Sequence, residues 1–159
     1  VVQRRLTFTA DRKYPGIQGP RHWLRSSPDG TRIAFLMRDN AGVVQLWTVS
    51  PSDGFLTQLT RNLRDIGSAF TWSPDGKWIA HAMDGSVCVT NASTGETLRL
   101  TKAVADAEAP RPEACVFSPD GRHIAYVRPV FDYVTLGDLT APGERQIRNQ
   151  IFICTMIAR

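Results

Sequence analysis

Apolar residues come in short runs along this chain, and turn residues interrupt them at regular intervals. The middle third shows the pattern best. Ser68-Ala-Phe-Thr-Trp72 is short, apolar and rich in strand formers. Ser73-Pro-Asp-Gly76 then predicts a turn, because proline presets φ, aspartate bonds its own backbone and glycine accepts positive φ. Lys77–Met83 reads as a second strand, and Asp84-Gly85 is a two-residue hairpin signal. Ser86–Thr90 is a third strand, Asn91–Gly95 another turn, and Thr97–Thr101 a fourth strand. The pattern predicts a four-stranded antiparallel meander, and no stretch carries helical periodicity.

The same text occurs three times. Ser-Pro-Asp-Gly starts at Ser27, Ser73 and Ser118, with its prolines 46 and then 45 residues apart. Each copy runs on into Ile-Ala, at Ile33-Ala34, Ile79-Ala80 and Ile124-Ala125. A period of this size marks an array of identical supersecondary units, and four-stranded units repeated radially are propeller blades. The first repeat has strands His22–Ser26, Thr31–Met37, Val43–Val49 and Leu56–Thr60. The third has Glu113–Phe117, Arg122–Arg128 and Gln150–Thr155, with Pro129–Asn149 expected as a long loop. The expected fold is therefore all-β, with three four-stranded antiparallel blades over residues 20–61, 66–102 and 112–159.

Two features are out of register with three complete blades. The third repeat lacks a fourth strand, while Gln3-Arg4-Arg5-Leu6-Thr7 resembles the closing strands Thr57–Thr60 and Thr97–Thr101. Residues 1–9 are thus expected to be the outer strand of a neighbouring blade. Because a ring needs about 4–8 blades, the chain is expected to be half of a six-bladed propeller. The partner that closes the ring is then a second copy or the missing half of a longer parent chain. The start at Val1 fits a processed product or an excised fragment.

Composition narrows the class without naming an activity. The length of 159 residues suits one domain, and 42% hydrophobic content is ordinary for a globular chain. No apolar run spans a membrane, and Arg4-Arg5 leads into no apolar signal segment. The net charge is +4, with eight Arg or Lys against two Asp in residues 1–38. No tight basic stripe or nucleic-acid module accompanies that excess, so a nucleic-acid partner is not expected. Cys88, Cys115 and Cys154 are odd in number, lie inside apolar runs and lack metal-ligand spacing. Buried free thiols are expected, which favours a reducing compartment.

The motif Ser-Pro-Asp-Gly-x-x-Ile-Ala, with Leu-Thr closing each blade, resembles the WD-like repeat of TolB-type propellers. The Gly-His and Trp-Asp marks of true WD repeats are absent. Gly19–Trp23, Gln45–Ser50 and Pro112–Phe117 are similar to the C-terminal region of uncharacterised bacterial TolB-like proteins. This repeat class includes the periplasmic, protein-binding TolB, which makes a periplasmic location the alternative to a cytoplasmic one. It also includes gating propellers of prolyl-oligopeptidase-type peptidases. Oligogalacturonate lyases belong to it too, and hold a metal through His and Gln at the ring mouth. The resemblance therefore implies a fold and leaves binding, gating and catalysis open.

In such a fold, the loops entering the innermost strands and those between second and third strands gather at one mouth, the default binding site. Aligning the repeats puts His22, Ser68 and Glu113 at matching places. Gln18, Arg21, Asp65 and Arg111 lie just upstream, and Arg38, Asp84 and Arg128 come from the other loop set. His22 either bonds a neighbouring loop, contacts a ligand, or joins Gln18 and Glu113 as nitrogen and oxygen ligands to a divalent metal such as Mn²⁺. The arginines either present guanidinium forks to acidic sugars or acidic peptides, or pair with Asp39, Asp65, Asp84 and Glu113 across the loops. Turn chemistry fully explains the Asp of each Ser-Pro-Asp-Gly. There is no Gly-x-Ser-x-Gly elbow, Walker loop or dinucleotide fingerprint. A binding or scaffold propeller without a cofactor is the expected function, with a metal-dependent lyase acting on acidic oligosaccharides as the alternative.

Overall fold

Each Ser-Pro-Asp-Gly segment closes on itself in the same way. Gly30, Gly76 and Gly121 have φ of +71°, +70° and +71°, a region that glycine enters without strain. Their N–H groups donate to the carbonyls of Ser27, Ser73 and Ser118 at 2.9 Å. The serine hydroxyls donate to the aspartates two residues on, at 2.5, 2.6 and 2.5 Å. The same hydroxyls accept from the N–H of Arg32, Trp78 and His123. Bonding to Ser27 and Thr31 holds the Asp29 carboxyl down at about 2, so it is ionised at neutral pH.

The computed structural model describes residues 1–19, 22–133 and 145–156. In chain order its strands are β1 Arg25–Ser26, β2 Ile33–Arg38, β3 Val44–Val49 and β4 Leu56–Gln58 in the first blade. The second blade holds β5 Thr71–Trp72, β6 Trp78–Met83, β7 Ser86–Asn91 and β8 Thr97–Arg99. The third holds β9 Val116–Phe117, β10 His123–Tyr133 and β11 Arg145–Thr155. All neighbouring strands pair antiparallel in sequence order, giving two four-stranded sheets and one of three strands.

The innermost strands are shorter than their apolar runs predict. His22 has φ +47°, which ends the extended run before β1. The inner segments also bond across to the next blade. Trp23 Nε1 donates to Phe70 O at 3.0 Å, Ala69 N to Pro112 O at 2.9 Å, and Thr71 Oγ1 to Cys115 O.

One other expectation needs correction. Pro129–Asn149 is not one long loop: the β10–β11 ladder continues through Pro129↔Asn149, Phe131↔Ile147 and Tyr133↔Arg145. Only residues 134–144 are left of the expected loop, and they lie outside the described residues. Pro129 fits because Val127 turns its carbonyl away from β11, toward Arg111 N at 2.8 Å. Pro129, two residues on, directs its missing N–H to that same side, past the end of β9. Residues 1–9 carry no strand within this single chain, where the neighbouring blade they are expected to join is absent.

Those N-terminal residues run beside the turn after β3. A Cβ at Gly95, in the turn after β7, would lie 1.8 Å from Leu59 O, while one at the matching Gly54 would lie 3.4 Å from Leu6 O. Arg4 also donates to Pro51 O. Residues 6–17 continue over the first blade, where Leu6 and Ile17 cover Phe35, Met37, Trp47 and Val49. The Arg12 guanidinium lies 4.5 Å over the Trp47 ring.

The core is built from seams between blades. Ala34, Leu36, Val44 and Leu46 of the first blade pack on Ile66, Phe70 and Ile79 of the second. Ala80, Ala82, Val87 and Val89 of the second pack on Phe117 and Ile124 of the third. Burying a side chain of this size stabilises the fold by about 1.5–3 kcal/mol. On the third blade the equivalent face carries Ala125, Val127, Ile151 and Ile153. Among the described residues it is left open: Ile147, Ile151 and Ile153 are 60%, 78% and 65% exposed, and Val116 of β9 is 52% exposed.

Candidate functional site

Most of the charged residues expected at the mouth are tied to neighbours. Gln18 Oε1 accepts from Arg38 Nε at 3.2 Å, and Arg38 also donates to Gly42 O. Asp39 accepts from the N–H groups of Ala41 and Val43 and from Gln45 Nε2, so it shapes the β2–β3 turn. Asp65 accepts from Val44 N at 2.8 Å, stitching the loop before β5 to the start of β3. Asp84, at φ +48°, forms the predicted tight hairpin with Gly85. Its carboxylate pairs with Arg99, which also donates to Ser86 Oγ at 2.9 Å. Arg111 Nε donates to Asn149 Oδ1 at 2.9 Å.

The positions aligned five residues before each repeat serine differ in burial. Ser68 is fully buried, and its hydroxyl donates to Ala69 O and accepts from Ala82 N. His22 and Glu113 are exposed. Arg21 lies outside the described residues. Among the described residues, no three His, Cys, Asp or Glu side chains come together to hold a metal. The Gln18 oxygen is already taken by Arg38. The expected Gln18–His22–Glu113 ligand set for manganese thus finds no support in the geometry.

The buried polar groups lie in the seams. His81, directly opposite Cys88 on β7, is fully buried and bonded to Thr90 Oγ1 at 2.8 Å. Burial pushes its imidazole down to about 4, so it is neutral at physiological pH. Burial likewise pushes the Cys88 and Cys115 thiols up, to about 11 and about 12. Both are therefore poor nucleophiles, and the three cysteines are free thiols as expected.

Cavities open between the second and third blades. One, about 290 Å³, is lined by Gly85, Thr101, Lys102, Val104, Pro110, Tyr126 and Arg128. Its roof belongs to the connection from β8 to β9, which contains a short 3-10 turn at Asp106–Glu108. Arg128 Nη2 donates to Glu108 Oε2 at 3.5 Å, and its guanidinium lies 5.0 Å over the Phe152 ring. Sequence reasoning singled out Arg128 and missed Lys102 and Tyr126. One signal was available: the repeat places Met37, Met83 and Arg128 at equivalent points, four residues after the isoleucine.

No family model matches the chain. It is 51% identical over 128 residues to the Escherichia coli protein YidR, itself uncharacterised, covering 80% of this chain. The chain spans 30% of YidR's length. Among solved structures, it resembles an oligogalacturonate lyase from Vibrio parahaemolyticus at a TM-score of 0.58 and 15% identity, over 79% of this chain and 32% of that one. It also resembles TolB from Acinetobacter baumannii at 0.51 and 20%, over 81% of this chain and 30% of that one. At such identities the likeness concerns the fold alone: three sheets arranged like propeller blades, distantly related to both TolB-like and oligogalacturonate-lyase-like folds.

Proposed function

We propose that this chain is a binding and scaffold segment of a TolB-like propeller, whose immediate partner is another blade of the same kind. One observation carries this reading. The face of the third blade that matches both interior seam faces is apolar and, among the described residues, uncovered, with Ile151 78% and Ile153 65% exposed. Contiguous exposed apolar surface of this sort marks an interaction site. The outer edge of β11, unpaired among the described residues, adds a row of backbone donors and acceptors. Residues 1–9, expected as an outer strand without inner strands, are the complementary deficit. A second copy, or the remaining blades of a longer chain, supplies what each end lacks and completes a mouth for a protein or acidic ligand.

The self-association version is tested by light scattering on the 159-residue chain. The expected mass is twice 17.7 kDa, reverting to the single-chain value in Ile151→Lys/Ile153→Lys. A monodisperse single-chain mass for the unmodified protein at high concentration would exclude the second copy. The lyase alternative gains nothing from the site geometry, where the charged residues are engaged in holding turns.

A further inference from the structure

We propose that the cavity between the second and third blades is a binding site for a small oxyanion, a carboxylate or a phosphate, held by Arg128 and Lys102. The first line of argument is a departure from the repeat. Met37 and Met83 fill this position in the other two blades, and Met37 is fully buried. The third blade instead carries a guanidinium, with a side chain only 26% exposed. A break in an otherwise self-consistent pattern marks a site kept for something other than stability.

The second line is unused donor capacity. Arg128 Nε is buried and has no hydrogen-bond partner among the described residues. The only polar contact of its Nη2 among the described residues, to Glu108, is 3.5 Å long, at the limit of a hydrogen bond. Leaving a buried donor unmade costs about 1–3 kcal/mol, which an incoming oxyanion would recover. Lys102, on the rim of the same cavity, makes no ion pair or hydrogen bond among the described residues. Two acidic groups of this region are already paired, Asp84 with Arg99 and Glu108 with Arg128 itself.

Size and shape set the third constraint. At about 290 Å³ the cavity sits at the small end of ligand pockets. Its remaining wall is apolar or neutral, from Val104, Pro110, Gly85, Thr101 and Tyr126. That suits an anionic head on a short carbon chain. Every lining residue belongs to this chain, so the site does not depend on whether the third blade recruits further blades.

Calorimetric titration of the 159-residue chain with succinate and with inorganic phosphate, in chloride-matched buffer, tests this. At least one probe is expected to bind with millimolar or tighter affinity. Binding of only one identifies the head group as carboxylate or phosphate. Arg128→Met, which restores the repeat's own residue, is expected to weaken binding by about tenfold or more, the loss of a charge-assisted contact. Its thermal midpoint without probe should equal or exceed that of the unmodified protein. Lys102→Gln, on the exposed rim, should weaken binding several-fold with no effect on folding and keeps the test valid if Arg128→Met misfolds. Arg61→Gln, at the matching place in the first blade, should change nothing. The proposal is overturned if neither probe binds below roughly 10 mM, or if Arg128→Met and Lys102→Gln bind as the unmodified chain does.

Discussion

Gly95→Ala is expected to cost more than about 4 kcal/mol and to unfold the seam between the first and second blades. Two effects add. Gly95 has φ +75°, where any other residue is strained by about 1 kcal/mol. Its new Cβ would also lie 1.8 Å from Leu59 O and 2.9 Å from Leu59 C. Both are backbone atoms that cannot swing aside. Relief requires moving the Asn91–Gly95 turn off the Leu59–Thr60 backbone, and with it the packing of Leu59 and Ala92 in the seam. Losses above 4 kcal/mol are exceptional for single substitutions and point to such an enforced displacement.

Gly30→Ala is the control. It has nearly the same φ, +71°, but nothing lies within 4 Å of its Cβ position. It should cost only about 1 kcal/mol, the backbone strain alone. Gly54→Ala should fall near it, because Leu6 O stands back at 3.4 Å. Urea denaturation of the three variants measures the differences. Equal losses at Gly95 and Gly30 would mean that the seam yields where the geometry says it is tight.

Acid is expected to remove about 3 kcal/mol of stability through His81 between pH 6.5 and 4. Its imidazole titrates near 6.5 when unfolded and is pushed down to about 4 by full burial in the fold. Below pH 6.5 the unfolded chain binds a proton that the folded chain refuses, so stability falls as pH falls. The contribution is fully present above about 6.5 and exhausted below about 4, at roughly 1.4 kcal/mol per pH unit of displacement. Cys88, opposite His81, remains a neutral thiol throughout, its titration pushed up to about 11.

The carboxylates act elsewhere on the scale. Asp29, Asp75 and Asp120 are held below their ordinary 3.8 by their serine partners, so their stabilisation is lost only at lower pH. His81→Gln keeps a side chain able to bond Thr90 and removes the titration. Denaturation at pH 7 and pH 4.5 should show a steep loss in the unmodified protein and a much flatter response in His81→Gln. A parallel loss in both would assign the acid sensitivity to other groups.

Local chemistry made the turns legible. The hydroxyl of Ser73, the carboxylate of Asp75 and the positive φ of Gly76 satisfy one another within six residues, so their identities suffice to predict the shape. Asp84-Gly85 is readable for the same reason, both residues having positive φ. Strand length was less readable, because it depends on what lies alongside. Pro129 looked like a break and is an ordinary edge residue, its missing N–H turned to the open side of the ladder. His22 looked like the start of a strand, yet its backbone turns left-handed there.

The mouth was the least legible part. Counting back from each serine points to His22, Ser68 and Glu113, but equivalence in a repeat is not equivalence of surroundings. Ser68 is buried as a backbone bridge, and Asp65 reaches into the neighbouring blade to hold Val44. Arg128 and Lys102 meet at one cavity only because the β8–β9 connection folds across the seam. No local spacing encodes that.

The period of the Ser-Pro-Asp-Gly text and the alternation around it were enough to specify the blades, their order and their turns, since hydrogen bonds over a few residues and two-residue side-chain alternation set those features. Which blade faces are sealed, which one is bare, and which charges are spent on turns rather than left for a ligand came from the packing of one sheet on the next. Those outcomes depend on atoms tens of residues apart in the chain, as Leu59 against Gly95 and Trp23 against Phe70 show.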